Sequence, residues 1–163
     1  HSSAASDVYK RQGTCLCGQS AVVTEERPFF SMLCHCKSCR VVTGLASAMC
    51  IFRQDEVHLS GDLSSYEYRT PNGDNMVNHF CPVCATVVCR TPSAMPGMVC
   101  IPLGLLDEAE DLKPDVEVWT VEKLPWLIAE GAVDSATEGA GVSERLTMIL
   151  SSLEEPSADH EKP

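Results

Sequence analysis

Seven of the ten cysteines lie in three short clusters, and their spacing constrains the fold more than any other feature of the chain. The clusters have the patterns C-x-C, C-x-C-x-x-C and C-x-x-C. Their members are Cys15 and Cys17, then Cys34, Cys36 and Cys39, then Cys81 and Cys84. Thiolates spaced by one or two residues suit zinc, whose structural sites take four protein ligands. Seven thiols therefore indicate one closed four-ligand site and a separate set of three.

The first and last clusters form the predicted four-ligand site. Residues two apart on a strand point to one face, so Cys15 and Cys17 present both sulfurs to one ion, with an S···S distance of about 3.8 Å. A disulfide within this C-x-C is disfavoured, because Cα atoms about 6.6 Å apart lie near the upper limit for a bridge. We predict zinc on Cys15, Cys17, Cys81 and Cys84, with disulfides or unliganded thiols as the alternative.

One residue departs from the usual zinc-knuckle pattern. The position after a C-x-x-C knuckle often needs a positive φ angle and is commonly glycine, but here it is Ala85. For alanine that conformation costs about 1 kcal/mol or more. The sequence therefore predicts a turn that is either strained or differently wound.

The middle cluster is predicted to bind a second metal ion. Cys34 and Cys36 share a face at the end of a strand and Cys39 returns after a turn, so the three sulfurs converge. His35 points away, as a surface residue or as a group that supports the ligands without binding metal. Lys37 and Arg40 lie beside the cluster and favour the thiolate form.

Three protein ligands leave a fourth position open. Water, a carbonyl oxygen or a substrate thiol can occupy it, and a zinc-bound thiol is held as the thiolate at neutral pH. The alternative is a closed site in which His79 or Cys50 supplies the fourth ligand.

The remaining thiols and basic residues are predicted to have ordinary structural roles. Cysteines in apolar strands behave as small buried hydrophobes; these are Cys50, Cys89 and Cys100. His58 alternates toward solvent. The strand arginines are expected to be solvated, with one or two near the open zinc available for a substrate carboxylate; they are Arg40, Arg53, Arg69 and Arg90.

Short β-branched or aromatic runs between turn residues predict a mainly β domain. The predicted strands are Ser20–Thr24, Phe29–Cys34, Ala46–Phe52, Val57–Ser60, Ser65–Arg69, Met76–Phe80, Thr86–Cys89, Met98–Leu103 and Val116–Thr120. Asn72-Gly73 predicts a hairpin between the fifth and sixth of them. One helical turn is predicted from Cys39 to Thr43, ended by Gly44.

The 163 residues suit a single domain, which we place at 13–128. Residues 1–12 lack apolar periodicity and are excluded from the fold as a non-native or disordered leader. Residues 129–163 are predicted to be a flexible acidic tail. Within the tail, apolar residues at helical spacing predict a short amphipathic helix at 143–154.

The formal net charge of −11 disfavours nucleic acid and anionic membranes as partners. No apolar run reaches the roughly 18 residues of a membrane helix, and no secretory leader is recognisable. A reducing cytoplasm is the expected location, and the sequence is compatible with a homo-oligomer.

The three clusters with their flanks resemble the glutathione-dependent formaldehyde-activating enzyme family, also called the GFA/CENP-V domain. The matching segments are Gly13-Thr14-Cys15-Leu16-Cys17-Gly18, Leu33-Cys34-His35-Cys36-Lys37-Ser38-Cys39-Arg40 with Thr43-Gly44, and His79-Phe80-Cys81-Pro82-Val83-Cys84. Further similarity runs through Pro96-Gly97, Leu103-Gly104, Leu106-Asp107 and Trp119 to Leu124-Pro125-Trp126.

The resemblance implies a mainly β, Mss4-like zinc fold with one structural zinc and a second, labile zinc on Cys34, Cys36 and Cys39. It further implies a carbon–sulfur lyase that reversibly joins the glutathione thiol to formaldehyde, with the middle cluster as the catalytic residues. A zinc-stabilised protein-interaction module without catalysis is the alternative. A redox enzyme of the methionine-sulfoxide-reductase type would instead need a reactive Cys89 or Cys100.

Overall fold

The computed structural model describes residues 10–130, 133–136 and 151 of the chain. Within these residues there are 11 strands and one short α-helix with defined bounds, and the predicted mainly β fold is confirmed. The strands are β1 Arg11–Thr14, β2 Ala21–Thr24, β3 Phe30–Cys34, β4 Ser47–Arg53, β5 Val57–Ser60, β6 Ser64–Arg69, β7 Asn75–Phe80, β8 Val87–Pro92, β9 Met98–Pro102, β10 Val116–Val118 and β11 Val133–Ala136. The helix α1 is Lys37–Thr43.

The strands form two sheets. The small sheet has the order β1-β2-β5, and the large sheet has the order β11-β10-β3-β4-β9-β8-β7-β6. Neighbouring strands are antiparallel except at one end of the large sheet, where β10 runs parallel to both β3 and β11. The predicted hairpin at Asn72-Gly73 is confirmed, since β6 pairs with β7 on either side of it.

Alternation along the large sheet separates two hydrophobic cores. On β4, Met49 and Ile51 belong to one core, which we call the front face of the large sheet. Cys50 and Phe52 belong to the other core, on the back face, which also contains Val22 from the small sheet. Because strand side chains alternate between faces, successive residues of the Met-Cys-Ile-Phe segment pack alternately into the front-face and back-face cores.

The helix α1 follows β3 directly and is capped by the middle cysteine cluster. The Cys36 Sγ accepts a hydrogen bond from the Cys39 amide at 3.4 Å, in the manner of an N-cap side chain. Gly44 ends the helix with φ of 81°, a left-handed conformation that glycine adopts at little cost. The helix therefore ends where it was predicted to end but begins two residues earlier.

The nine predicted strands are present with ends within three residues of their predicted positions. Two further strands were missed. β1 includes Arg11 and Gln12, which had been assigned to the leader, and they pair with Thr24 and Val23. β11 lies in the predicted tail, where its backbone pairs with β10. Apart from Ser151, which is helical, the predicted helix at 143–154 lies outside the described residues.

No helix in the described part of the chain is long and apolar enough to cross a membrane.

Candidate metal centres and the adjoining pocket

The first and last cysteine clusters meet in space. The four sulfur atoms of Cys15, Cys17, Cys81 and Cys84 lie within 4.8 Å of one another. The Cys17 Sγ is 3.6 Å from both Cys15 Sγ and Cys81 Sγ, close to the spacing of two thiolates on one zinc ion. The predicted grouping of these four residues into one site is therefore reproduced by the fold.

Polar neighbours support the thiolate form in this site. The Ser20 amide donates to Cys15 Sγ at 3.2 Å, and Thr86 Oγ1 is 3.1 Å from Cys84 Sγ. Hydrogen bonds from Thr86 lower the pKa of Cys84 to about 5. The Gln19 amide acts to lower the pKa of Cys17, but burial and the neighbouring thiols raise it to about 12. A divalent cation removes this competition, because it stabilises four thiolates together.

The sequence predicted that the turn after Cys81-Pro82-Val83-Cys84 is either strained or differently wound, and the structure shows the strained turn. Ala85 has φ of 60°, and its amide donates to the Cys81 carbonyl at 2.9 Å. The residue thus takes the left-handed conformation that glycine normally supplies.

The middle cluster also converges. The sulfur atoms of Cys34, Cys36 and Cys39 lie within 4.8 Å of one another, and all three residues are buried. Hydrogen bonds from Cys34 and Cys39 lower the pKa of Cys36 to about 3, although burial opposes them. Hydrogen bonding to Cys36 raises the pKa of Cys34. The cluster therefore holds one thiolate readily, and a metal ion is the natural partner for all three.

Neither candidate for a fourth protein ligand reaches this cluster. Cys50 belongs to the core on the back face, and His79 Nε2 is 3.0 Å from Thr91 Oγ1. Among the described residues, the three thiols form a metal-binding group without a fourth His, Cys, Asp or Glu. The closed-site alternative through His79 or Cys50 is therefore wrong for this structure.

His35 is not a metal ligand, but the prediction that it could lie on the surface is wrong. The side chain is fully buried, and its Nε2 is 2.8 Å from Glu117 Oε1. The same carboxylate oxygen accepts a hydrogen bond from Lys123 Nζ at 2.7 Å. Burial acts to raise the pKa of Glu117, but the hydrogen bonds from Lys123 and His35 outweigh it and lower that pKa. This network fixes the end of β3, and with it Cys34 and Cys36, against β10.

An apolar pocket of about 90 Å³ opens on the middle cluster. It is bordered by α1, by the turn between β6 and β7, and by residues near β10. Its walls include Met32, Cys34, Cys36, Ser38, Cys39, Met49, Tyr68, Thr70, Asp74, Met76, Met95, Val118 and Trp119. Two hydroxyl oxygens, on Tyr68 and Thr70, are buried without a hydrogen-bond partner in the described structure. The pocket therefore presents three thiols and two unpaired hydroxyls within a largely apolar wall.

Trp119 contributes to this wall in an unusual backbone conformation. Its φ of 59° is rare for a bulky residue and costs energy that the surrounding structure must supply. The next residues form a short 3₁₀ helix, whose Glu122 carboxylate accepts a hydrogen bond from the Lys37 amide at the start of α1. This contact joins the segment after β10 to the helix that carries Cys39.

Arg90 overturns the expectation of solvated strand arginines. It is 2 % exposed, and its Nη1 donates to Ser47 Oγ at 2.8 Å and lies 3.7 Å from Met49 Sδ. Arg53 and Arg69 are exposed, as predicted, and Arg40 is half-buried on α1.

The three unclustered thiols are buried, as predicted. Burial raises the pKa of Cys50 and of Cys89 to about 11, and that of Cys100 to about 12. Neither late-strand thiol has the exposure or the lowered pKa of a redox-active cysteine. His58 is exposed, as predicted.

Sequence reasoning missed Glu117 and Tyr68 as neighbours of the site, and it named Arg90 only as one of four arginines of which one or two could lie near the open zinc. Glu117 carried a weak signal, since it is a charged residue between two valines in a predicted strand. Tyr68 carried none, and nothing singled out Arg90 among the four arginines. Only the register of β6 to β9 places these two residues near Cys34, Cys36 and Cys39, which precede Tyr68 by 29 to 34 residues and Arg90 by 51 to 56.

The fold and the two clusters define a class: a mainly β protein with one four-thiol and one three-thiol cluster, both suited to metal ions. Residues 10–122 match the family model described as glutathione-dependent formaldehyde-activating enzyme. Because the match spans more than half of the chain, this protein belongs to that family, which is associated with glutathione-dependent formaldehyde activation.

Other comparisons are distant. No curated protein matches the chain. A crystal structure of a Rhodobacter sphaeroides protein is similar, with 18% sequence identity and a TM-score of 0.45. The alignment covers 59% of this chain and 87% of that one.

Proposed function

We propose that this protein is a zinc-dependent carbon–sulfur lyase that forms and cleaves adducts of glutathione with formaldehyde or a similar small aldehyde. The observation that carries the proposal is the set of three buried thiols, Cys34, Cys36 and Cys39, at an apolar pocket and without a fourth protein ligand among the described residues. Family membership supports the choice of thiol and aldehyde.

The reaction joins a thiol sulfur to the carbonyl carbon of the aldehyde. The C–S bond forms, the carbonyl π electrons move to oxygen, that oxygen takes up a proton, and the thiol proton is released. Cleavage is the reverse. Cys34, Cys36 and Cys39 would hold a zinc ion, which when bound would supply Lewis acidity that favours the thiolate form of a substrate thiol.

The pocket residues suit the proton transfer at the aldehyde oxygen. Among the described residues the Tyr68 hydroxyl has no hydrogen-bond partner, and burial raises its pKa to about 12, so it stays protonated and can donate. The Thr70 hydroxyl is available beside it on the same strand-to-turn segment. We assign Tyr68 as the donor to the developing alkoxide, with Thr70 as a second hydrogen bond.

The pocket volume limits what enters. About 90 Å³ accommodates the aldehyde carbon and the thiol end of glutathione, while the rest of the tripeptide stays outside. Lys37 and Arg40 lie on the same helix as the pocket residue Ser38, and the Arg40 Nε is buried without a partner. These cations are the candidates for contact with the glutathione carboxylates.

The test measures how fast ¹³C-formaldehyde exchanges between its hydrate and its glutathione adduct. NMR exchange spectroscopy gives this rate. The zinc-loaded protein is expected to accelerate exchange over buffer, and Cys39→Ser is expected to abolish the acceleration while a folded domain remains. Cys50→Ala removes a buried thiol outside both clusters and serves as the control.

Two results would contradict the proposal. Wild-type protein that holds zinc in both clusters yet exchanges formaldehyde no faster than buffer would leave a zinc-stabilised protein-interaction module as the function. Full activity in Cys39→Ser would remove the middle cluster from the chemistry.

A further inference from the structure

Arg90 is a buried cation without a carboxylate partner. Among the described residues Arg90 forms no ion pair, and the Glu117 carboxylate contacts Lys123 and His35 instead. Its hydrogen bonds are to the neutral Ser47 hydroxyl and to the Met49 sulfur, and its Nε has no partner. A guanidinium stays protonated in a protein, so the positive charge is permanent.

Such a charge is costly unless the fold supplies an anion. Burying an unpaired ion is among the most unfavourable arrangements in a protein interior, and a neutral hydroxyl and a thioether offset little of it. The natural inference is that an anionic group lies close to Arg90 in the functional protein.

The surroundings of Arg90 identify that group. Ser47 pairs with Cys34 across β3 and β4, and Met49 lines the pocket together with Cys34, Cys36 and Cys39. Arg90 also pairs with Cys100, which shares the front-face core with all three thiols. The guanidinium charge acts electrostatically on both Cys39 and the Tyr68 hydroxyl. Within the described front-face core the residues that can become anionic are cysteines, and burial raises the pKa of Cys100 to about 12, which leaves the three clustered thiols as the anionic group.

The net charges of Arg90 and of the metal-loaded three-thiol cluster are opposite and equal. Three thiolates on a divalent cation carry a net charge of −1, whereas Arg90 carries +1. We propose that Arg90 is the buried counter-charge of the three-thiol metal site and that it sets the affinity of Cys34, Cys36 and Cys39 for a divalent metal. The inference rests on metal binding at the middle cluster, not on lyase activity.

The four-thiol site provides an internal control for the test. Zinc affinity of each site is measured by competition with a chromophoric chelator, and cobalt substitution reports the sulfur-to-metal absorption of each site. Arg90→Met removes the charge at similar volume and is expected to weaken the three-thiol site roughly 10- to 100-fold, as expected for a residue that supports metal ligands. The four-thiol site should keep its metal.

Two further variants separate charge from packing. Arg90→Lys keeps the charge and is expected to retain most of the zinc affinity of the three-thiol site. Arg53→Met removes an exposed arginine on β4 and should change neither site. Unchanged zinc affinity of the three-thiol site in Arg90→Met, or equal weakening in Arg90→Met and Arg90→Lys, would overturn the inference.

Failure of Arg90→Met to fold is also informative. Cys39→Ser is expected to release the metal ion and, with it, the net negative charge that three thiolates and a divalent cation carry. If charge balance is the cause, the double variant Cys39→Ser/Arg90→Met should therefore regain a cooperative melting transition. A double variant that remains unfolded would assign Arg90 to packing alone and contradict the proposal. A wild-type chain that binds one metal ion overturns both this inference and the proposed function, whereas two bound ions with an unchanged Arg90→Met overturn the inference alone.

Discussion

The two thiol clusters place the same side chain in different surroundings, and we propose that they serve different purposes. The four-thiol cluster joins segments 64 residues apart, and Cys17 within it is exposed. The three-thiol cluster comes from six consecutive residues, is wholly buried and adjoins a pocket. A cross-link between distant segments stabilises a fold, whereas a local cluster with three ligands leaves room for a substrate.

Their supporting groups differ in the same way. The four-thiol site is held by backbone amides and Thr86 in tight turns at the edge of the domain. Near the three-thiol site lie buried polar and charged groups, namely His35 hydrogen-bonded to Glu117 and the Arg90 guanidinium hydrogen-bonded to Ser47. Buried charge is expensive to maintain and is more often found where chemistry or tight metal control occurs than where a scaffold is needed.

The largest effect should come from breaking the four-thiol site. Cys81→Ser is expected to lower the free energy of unfolding by about 4 kcal/mol or more, because metal binding at a site between distant segments is folding free energy. Thermal melting with metal analysis measures this. Since the total stability of a domain is about 5–15 kcal/mol, this loss is a large fraction of it, and the variant is expected to melt at a markedly lower temperature.

Cys39→Ser is the matched change in the other cluster. It should lose one metal ion and retain a cooperative melting transition, because the three-thiol cluster closes no long loop. Equal destabilisation by Cys81→Ser and Cys39→Ser would contradict the division of the clusters into scaffold and reactive site.

A smaller effect is expected at the pocket hydroxyl. Tyr68→Phe should reduce turnover of the glutathione–formaldehyde adduct by about 100-fold, which is in the usual range for loss of a proton donor, with both metal ions retained. Tyr66→Phe is the control, since Tyr66 lies on the same strand, stacks with Tyr68 at 6.5 Å and is 65% exposed. Similar rates in the two variants would remove Tyr68 from the mechanism.

The smallest effect should be a gain of stability at the zinc knuckle. Ala85→Gly is expected to raise the free energy of unfolding by about 1 kcal/mol, because glycine adopts the positive φ of this position without steric cost. Ala94→Gly is the control, since Ala94 is exposed and has no positive φ, and it should be slightly destabilising. A loss of stability in Ala85→Gly would show that the left-handed turn is not strained.

Much of this architecture could be predicted from the sequence. Two local patterns were sufficient for this. The spacing of the cysteines predicted both thiol clusters, and the runs of strand-forming residues predicted nine strands. β1 was missed because Arg11 and Gln12 carry no apolar periodicity and gain their structure by pairing with β2.

The supporting residues of the site could not be predicted in the same way. Arg90 reads as an ordinary strand arginine, and its burial depends on the pairing of β8 with β9 and on Ser47 from β4. Alternation disfavoured His35 as a ligand, and in the described structure it lies outside the group of three converging thiols. Its burial against Glu117 arises from the parallel pairing of β3 with β10, which local sequence does not specify.

The most direct test of the division between the clusters is anomalous diffraction at the zinc edge from crystals of the zinc-loaded protein, with and without glutathione. The predicted result is two ions. One is bound by Cys15, Cys17, Cys81 and Cys84, and the other is bound by Cys34, Cys36 and Cys39 with a non-protein ligand that glutathione sulfur replaces. A single ion, or a fourth protein ligand at the middle cluster, would contradict the account.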